Sequence, residues 1–216
     1  MRTRAGTKGL TAIGLALCAF VASCDSKPDA SGPSPVATSP APSASTQATC
    51  ESLDTLAVGV VVRIGPPPAN SYQPPLMDIA AHLFTWANGS TTTNGGAKTE
   101  NTGKAGGSGV EIAVNNLVLS ISRGFGQVLH KVRFSFGEYG GNINVSVNNA
   151  LANVDNFVAL NNKVLGGVTV TVLSGGFGND KGVIEFQGLM PDQNNGLGQL
   201  AVGGQELWID DICFEQ

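Results

Sequence analysis

The sequence predicts an all-β domain, an antiparallel β-sandwich over residues 50–216, and three features predict it. Apolar and polar residues alternate with a period of two in short segments. Turn-forming Gly and Asn recur between those segments, 25 Gly and 17 Asn in all. No long stretch carries the 3.6-residue spacing of an amphipathic helix. The 167 positions are enough for one domain with a substantial core.

Taken in order, 60–64 is the first apolar run, and 78–86 reads as a strand despite a length that one or two helical turns would fit. Residues 88–109, rich in Asn and Gly with Thr91, Thr92 and Thr93, read as a long turn, with amides and hydroxyls that read sugar hydroxyls as the alternative role. Residues 110–122 then read as one strand. Val132, Phe134 and Phe136 alternate with Lys131, Arg133 and Ser135, and Val168, Val170 and Val172 alternate with Thr169 and Thr171. Further strands are expected at 143–147, 157–160, 183–186 and 207–214. Turns fall at Gly140-Gly141-Asn142, Asn161-Asn162, 178–182 and Asn194-Asn195-Gly196. In the last strand Leu207 and Ile209 share one parity while Ile212 and Phe214 share the other. That flip across Asp210 and Asp211 predicts a β-bulge.

The first 49 residues have a different character. Arg2, Arg4 and Lys8 precede an apolar stretch, 9–21, of 13 residues, too short to span a bilayer that needs about 20. Val21-Ala22-Ser23-Cys24 follows and resembles the bacterial lipobox. The resemblance implies cleavage before Cys24, acylation of that cysteine, and stable anchoring by two or more chains. An ordinary signal peptide with a chance cysteine is the alternative. Pro, Ser, Ala and Thr make up 19 of the 25 positions from 25 to 49, a composition expected to stay disordered and extended as a linker. The expected organisation is therefore 1–23 signal peptide, 24–49 lipidated cysteine and linker, and 50–216 sandwich. Asp25 resembles the inner-membrane retention signal of enteric bacteria, but that rule does not hold across all bacteria and chooses no membrane here.

Removing residues 1–23 takes away three positive charges and no negative ones. The formal net charge then moves from −4 to −7. A nucleic acid or an anionic lipid headgroup demands a basic footprint, so both are excluded as main partners. Cys18 falls in the signal peptide and Cys24 takes lipid, which leaves Cys50 and Cys213 in an oxidising compartment. Their pairing is expected; a zinc site has too few ligands, and two free thiols are the remaining alternative.

An apolar strand closing in Ile209-Asp210-Asp211-Ile212 resembles the last strand of jelly-roll sandwiches, as in carbohydrate-binding modules and MAM-type adhesion domains. The opening, Cys50-Glu51-Ser52-Leu53-Asp54 with Gly59 beyond, resembles their first strand. The middle, 113–116 and 136–142, is similar to uncharacterised bacterial secreted proteins. The resemblance implies a jelly-roll-like sandwich and a non-catalytic binding or adhesion module outside the cytoplasm, with glycan as ligand class. A structural envelope component that binds other proteins is the alternative, and a glycan hydrolase the third reading.

Candidate site residues follow. Asp54, Asp210 and Asp211 converge if Cys50 bonds Cys213, and jelly-roll modules often hold a structural Ca2+ near this corner. Three carboxylates without a cation repel one another, and carboxylate oxygens are ligands that calcium prefers. One aspartate capping a bulge with the others solvated is the alternative. Trp208, Trp86 and Tyr139, with Tyr72 in a Pro-rich loop, are candidates for stacking a sugar ring, and core packing is the competing role for each. Trp208 stands out because its neighbours Leu207 and Ile209 have the opposite parity. No catalytic motif is found: His82 and His130 form no ligand pair, and Glu111, Glu138 and Glu185 are scattered glutamates.

Overall fold

In a computed structural model, the residues described are 47–65, 70–123, 128–188 and 196–216. The signal peptide, Cys24, the linker up to residue 46 and the Asn194-Asn195 turn lie outside them. The strands are β1 (Thr49–Glu51), β2 (Val61–Val62), β3 (Ser71–Tyr72), β4 (Asp78–His82), β5 (Phe84–Thr85) and β6 (Thr91–Thr92). There follow β7 (Gly96–Glu100), β8 (Glu111–Asn115), β9 (Leu117–Ser122), β10 (Lys131–Glu138), β11 (Ile143–Val147) and β12 (Ala150–Val154). The last five are β13 (Lys163–Leu165), β14 (Val168–Ser174), β15 (Asp180–Gly188), β16 (Leu200–Gly204) and β17 (Leu207–Glu215).

They form an antiparallel, jelly-roll-like sandwich. One sheet runs β13-β14-β15-β10-β17-β8-β7-β2, with β1 added to β17. The other runs β12-β11-β16-β9-β4-β3, and β5 and β6 form a separate hairpin. The chain changes sheet between β2 and β3, β8 and β9, β9 and β10, β10 and β11, β12 and β13, and again on each side of β16. Period-two alternation puts one parity of each strand into a common core. Phe134, Phe136, Ile184, Phe186, Leu207 and Ile209 face Ile79, Leu119, Val145 and Val202 there, all almost fully buried.

The paired strand ends carry the disulfide. Cys50 stands directly opposite Cys213 in the β1–β17 ladder and is bonded to it. The bulge is also present. Between the pairs Arg133↔Cys213 and Ser135↔Asp210, β17 spends one residue more than β10. Asp211 takes up the extra length with φ 49°, a left-handed conformation that aspartate tolerates better than most residues.

Four expectations are corrected. Residues 78–86 are two strands, not one: β4 joins the second sheet and β5 the separate hairpin. Residues 110–122 are two strands, not one: Asn116 has φ 52° and turns the chain from one sheet to the other. Residues 88–109 are not one long turn, because β6 and β7 lie within them. Alternation in Lys98 and Glu100 against Ala97 and Thr99 carries that signal, masked by the surrounding Gly and Asn. Residues 157–160 form a 3-10 helix, not a strand. Phe157 and Leu160, three apart, are its buried residues, which is a helical spacing too short to declare itself in sequence.

Candidate functional site

The bulge sits where β17 changes partners. On one side β17 pairs with β10; on the other it pairs first with β8, through Leu207–Ile209, and then with β1, through Ile212–Phe214. The seam between β8 and β1 is closed by Asp54, whose Oδ1 accepts the Val110 N–H at 2.8 Å. Over the outer surface of this seam lies the segment 101–109.

That segment is held from beneath by Glu111, which is 1% exposed. Its carboxylate accepts the N–H groups of Thr102 (3.1 Å), Lys104 (3.1 Å) and Ala105 (2.7 Å), and the Thr102 hydroxyl. Close approach to the sheet needs missing side chains. A Cβ on Gly137 would collide with the Lys104 carbonyl, and that carbonyl also accepts the Tyr139 hydroxyl at 3.1 Å. A Cβ on Gly107 would collide with Asp210 Oδ2 and come within 2.7 Å of Asp211 Oδ2.

Two carboxylate oxygens therefore address the one space that Gly107 leaves. Asp210 is 1% exposed, and its Oδ1 accepts the Asp211 N–H at 2.8 Å. Burial, then the charges of Asp211, Glu111 and Asp54, pushes its carboxyl up to about 7. Burial and the Asp54 charge also raise Asp211. Asp54 stands beside Gly109 with its own backbone partner. Among the described residues no three acidic, His or Cys side chains gather closely enough to hold a cation by themselves.

Two positions along β17, Trp208 points outward, as its parity requires, but it is only 8% exposed. The Lys104 ammonium stands 3.9 Å from the centre of its ring, Tyr139 meets it edge-on at 5.4 Å, and its N–H faces Glu100 Oε2 at 3.4 Å. Next to the indole the outer face opens into a groove of about 500 Å³. Small residues carve it: Ala113 lies between Trp208 and Lys98 in one cross-strand row, and Gly96 lies beside Asn115 in the next. Arg63, Asn94 and Glu206 complete its walls.

The other candidates are placed elsewhere. Trp86 is half-buried, packed edge-on to Phe84 at 5.1 Å over Val118 and Ala201 on the second sheet. Tyr72 is a core residue, 2% exposed, with its hydroxyl donating to the Val60 carbonyl. His82 is exposed beside Ser120 Oγ at 2.8 Å. Thr91 and Thr92 belong to the β5–β6 hairpin, while Asn94 reaches the groove. Of the three scattered glutamates, Glu138 has the inward parity of Phe134 and Phe136, and Glu185 the outward parity of its strand. Glu138 accepts the N–H groups of Phe157 and Gly178 at 2.9 and 2.8 Å. Glu185 pairs with Lys131 at 3.7 Å.

Sequence reasoning missed Arg63, Lys98, Glu100, Lys104 and Asn115 as site residues. The period-two reading of β7 would have found Lys98 and Glu100. No family matches the chain, and no curated protein and no solved structure is significantly similar to it.

A carboxyl raised in the fold contributes stability below its unfolded value and loses it as pH rises through its folded one. Without divalent cations, the melting temperature should therefore fall as pH rises from 5 to 8, partly through Asp210. Asp210→Asn should flatten this slope and melt higher than wild type at pH 8. Calorimetry across that range measures it, and an unchanged slope in the variant contradicts the assignment.

Proposed function

We propose that this chain is a membrane-tethered, extracytoplasmic lipoprotein that displays a non-catalytic glycan-binding module. The groove beside Trp208 carries the reading. It combines an indole on its floor with amide, guanidinium and carboxylate groups on its walls, which is the mixture that engages both the apolar face and the hydroxyls of a pyranose. Its volume suits one or two sugar rings on the scale of ordinary ligand sites, about 300–1,000 Å³. In the free protein Lys104 covers the indole through its flexible side chain, so a stacking sugar displaces it. The oxidised Cys50–Cys213 pair fits a location outside the cytoplasm.

A second reading, a structural envelope protein, draws support from the aromatics. Trp208 is covered and Trp86 packs on Phe84, so both indoles also serve the fold.

A calcium ion at the bulge belongs to the same proposal. The residues fit the group in kind, since Asp210 Oδ2 and Asp211 Oδ2 come together beside Gly107 and are hard oxygen donors of the kind calcium takes. Asp210 and Asp211 would hold the ion, with peptide carbonyls or water completing the shell. A bound ion would supply positive charge that keeps the Asp210 and Asp211 carboxylates ionised. Asp54 lends negative charge from beside Gly109.

A glycan array probed with the Cys24→Ser chain tests the central claim. Trp208→Ala should weaken any positive signal about tenfold, as expected for loss of a stacking contact of about 1–1.5 kcal/mol. Lys104→Ala should strengthen it. Binding by neither wild type nor Lys104→Ala removes the glycan reading and favours the structural one. Calcium at pH 7.5 should raise the melting temperature of wild type over chelator by several degrees and leave Asp210→Asn unmoved; equal melting of wild type in both sinks the ion. On the anchor, wild type should fractionate with membranes and incorporate labelled palmitate, and Cys24→Ser should do neither. A Cys24→Ser chain that keeps its label overturns the lipid assignment.

A further inference from the structure

We infer that the sugar taken by the groove is acidic, its carboxylate read by Arg63; this rests on the glycan reading above. Charge in the groove decides it. Lys98 pairs with Glu100 at 3.4 Å, and Glu100 also receives the Trp208 N–H, so those two charges are spent within the protein. Arg63 is exposed and makes no ion pair with any described residue. Lys104 lies on the indole, outside the groove's lining, and a stacking sugar displaces it, so it adds no fixed charge to the site. The one other unpaired charge in that lining, the Glu206 carboxylate, stands at the exposed turn before β17, with β7 and β8 between it and the β2 side where Arg63 lies.

With Lys98 and Glu100 paired, the β2 side of the groove offers one unpaired positive charge, Arg63, in a chain whose net charge is strongly negative. A guanidinium is the side chain best suited to read an acid, because its fork meets both oxygens of a carboxylate in one plane. Position agrees with charge. Arg63 follows β2, so it flanks Gly96 and faces Asn115 across the gap that Gly96 leaves. A sugar ring resting over Gly96 and Ala113 then has the indole at one end and the guanidinium at the other. Neutral sugars would use the indole and the amides alone.

The probe is polygalacturonate against its fully methyl-esterified form, without added divalent cations, on the Cys24→Ser chain. The two polymers share ring, linkage and hydroxyls and differ in carboxylate charge. Because the chain is net negative, general electrostatics favours the ester, so preference for the acid must come from a local site. The free acid should bind at least tenfold tighter than the ester. Arg63→Gln should abolish that preference, Arg63→Lys should restore part of it, and Lys163→Gln, at the opposite edge of the same sheet, should leave it intact. Equal binding of acid and ester, or a preference surviving in Arg63→Gln, overturns the acidic assignment while Trp208-dependent binding keeps the glycan reading. Trp208-dependent binding of neutral glycans with neither polymer bound has the same meaning. Binding of no glycan by any variant removes both.

Discussion

The extra residue in β17 is the constraint on which the rest of this surface depends. Asp211 adopts a left-handed conformation and shifts the register of β17 against β10 by one. Without that shift Ile212 and Phe214 would face solvent, since one residue of slip exchanges the two faces of a strand. With it, Leu207, Ile209, Ile212 and Phe214 all reach the core, while Trp208, Asp210 and Cys213 all face out. The outward placement of the disulfide and the pairing of the two carboxylates are thus consequences of one irregularity.

Buried carboxylates and amides do the work that regular hairpins would do elsewhere. Glu51 accepts the N–H groups of Leu53 and Leu76, Glu111 holds segment 101–109, and Glu138 ties the 3-10 helix to the loop before β15. Asn148 donates to the carbonyls of Gly166 and Gly196 and accepts from Gly198 and Gln199, so its amide is fully used. Each such group takes several backbone partners, and leaving any of them unpaired in the interior would cost about 1–3 kcal/mol. A domain so rich in Gly and Asn has long irregular connections, and these polar anchors are what order them.

How much of this was legible follows from range. Alternation is local, so β10, β11, β14 and β17 are readable from their own residues, and the parity flip at Asp210-Asp211 gives the bulge outright. The Cys50–Cys213 pair is readable because these are the two cysteines within 50–216, one at each end. The break at Asn116 is not readable, since Asn115-Asn116 lies between two apolar runs and its left-handed turn depends on which sheet receives each run. The groove is illegible for the same reason at longer range. Arg63, Lys98, Ala113 and Trp208 meet only through strand order, with β2, β7, β8 and β17 side by side, and no local pattern encodes adjacency. Trp208 and the aspartates stood out by parity; what covers them, Lys104 and Gly107, arrives on a segment whose composition says only turn.

The pairing of β1 with β17 has a mechanical meaning. The chain enters the fold through Thr49, at the same end of the ladder as Phe214, and Cys50 is covalently joined to Cys213 one residue later. A pull on the preceding chain therefore peels a single residue before the load passes through the cystine into β17, a strand with neighbours on both sides. Trp208 lies on that same strand. A load entering from the N-terminal side would thus reach β17 through one covalent link and not by unzipping the β1–β17 ladder.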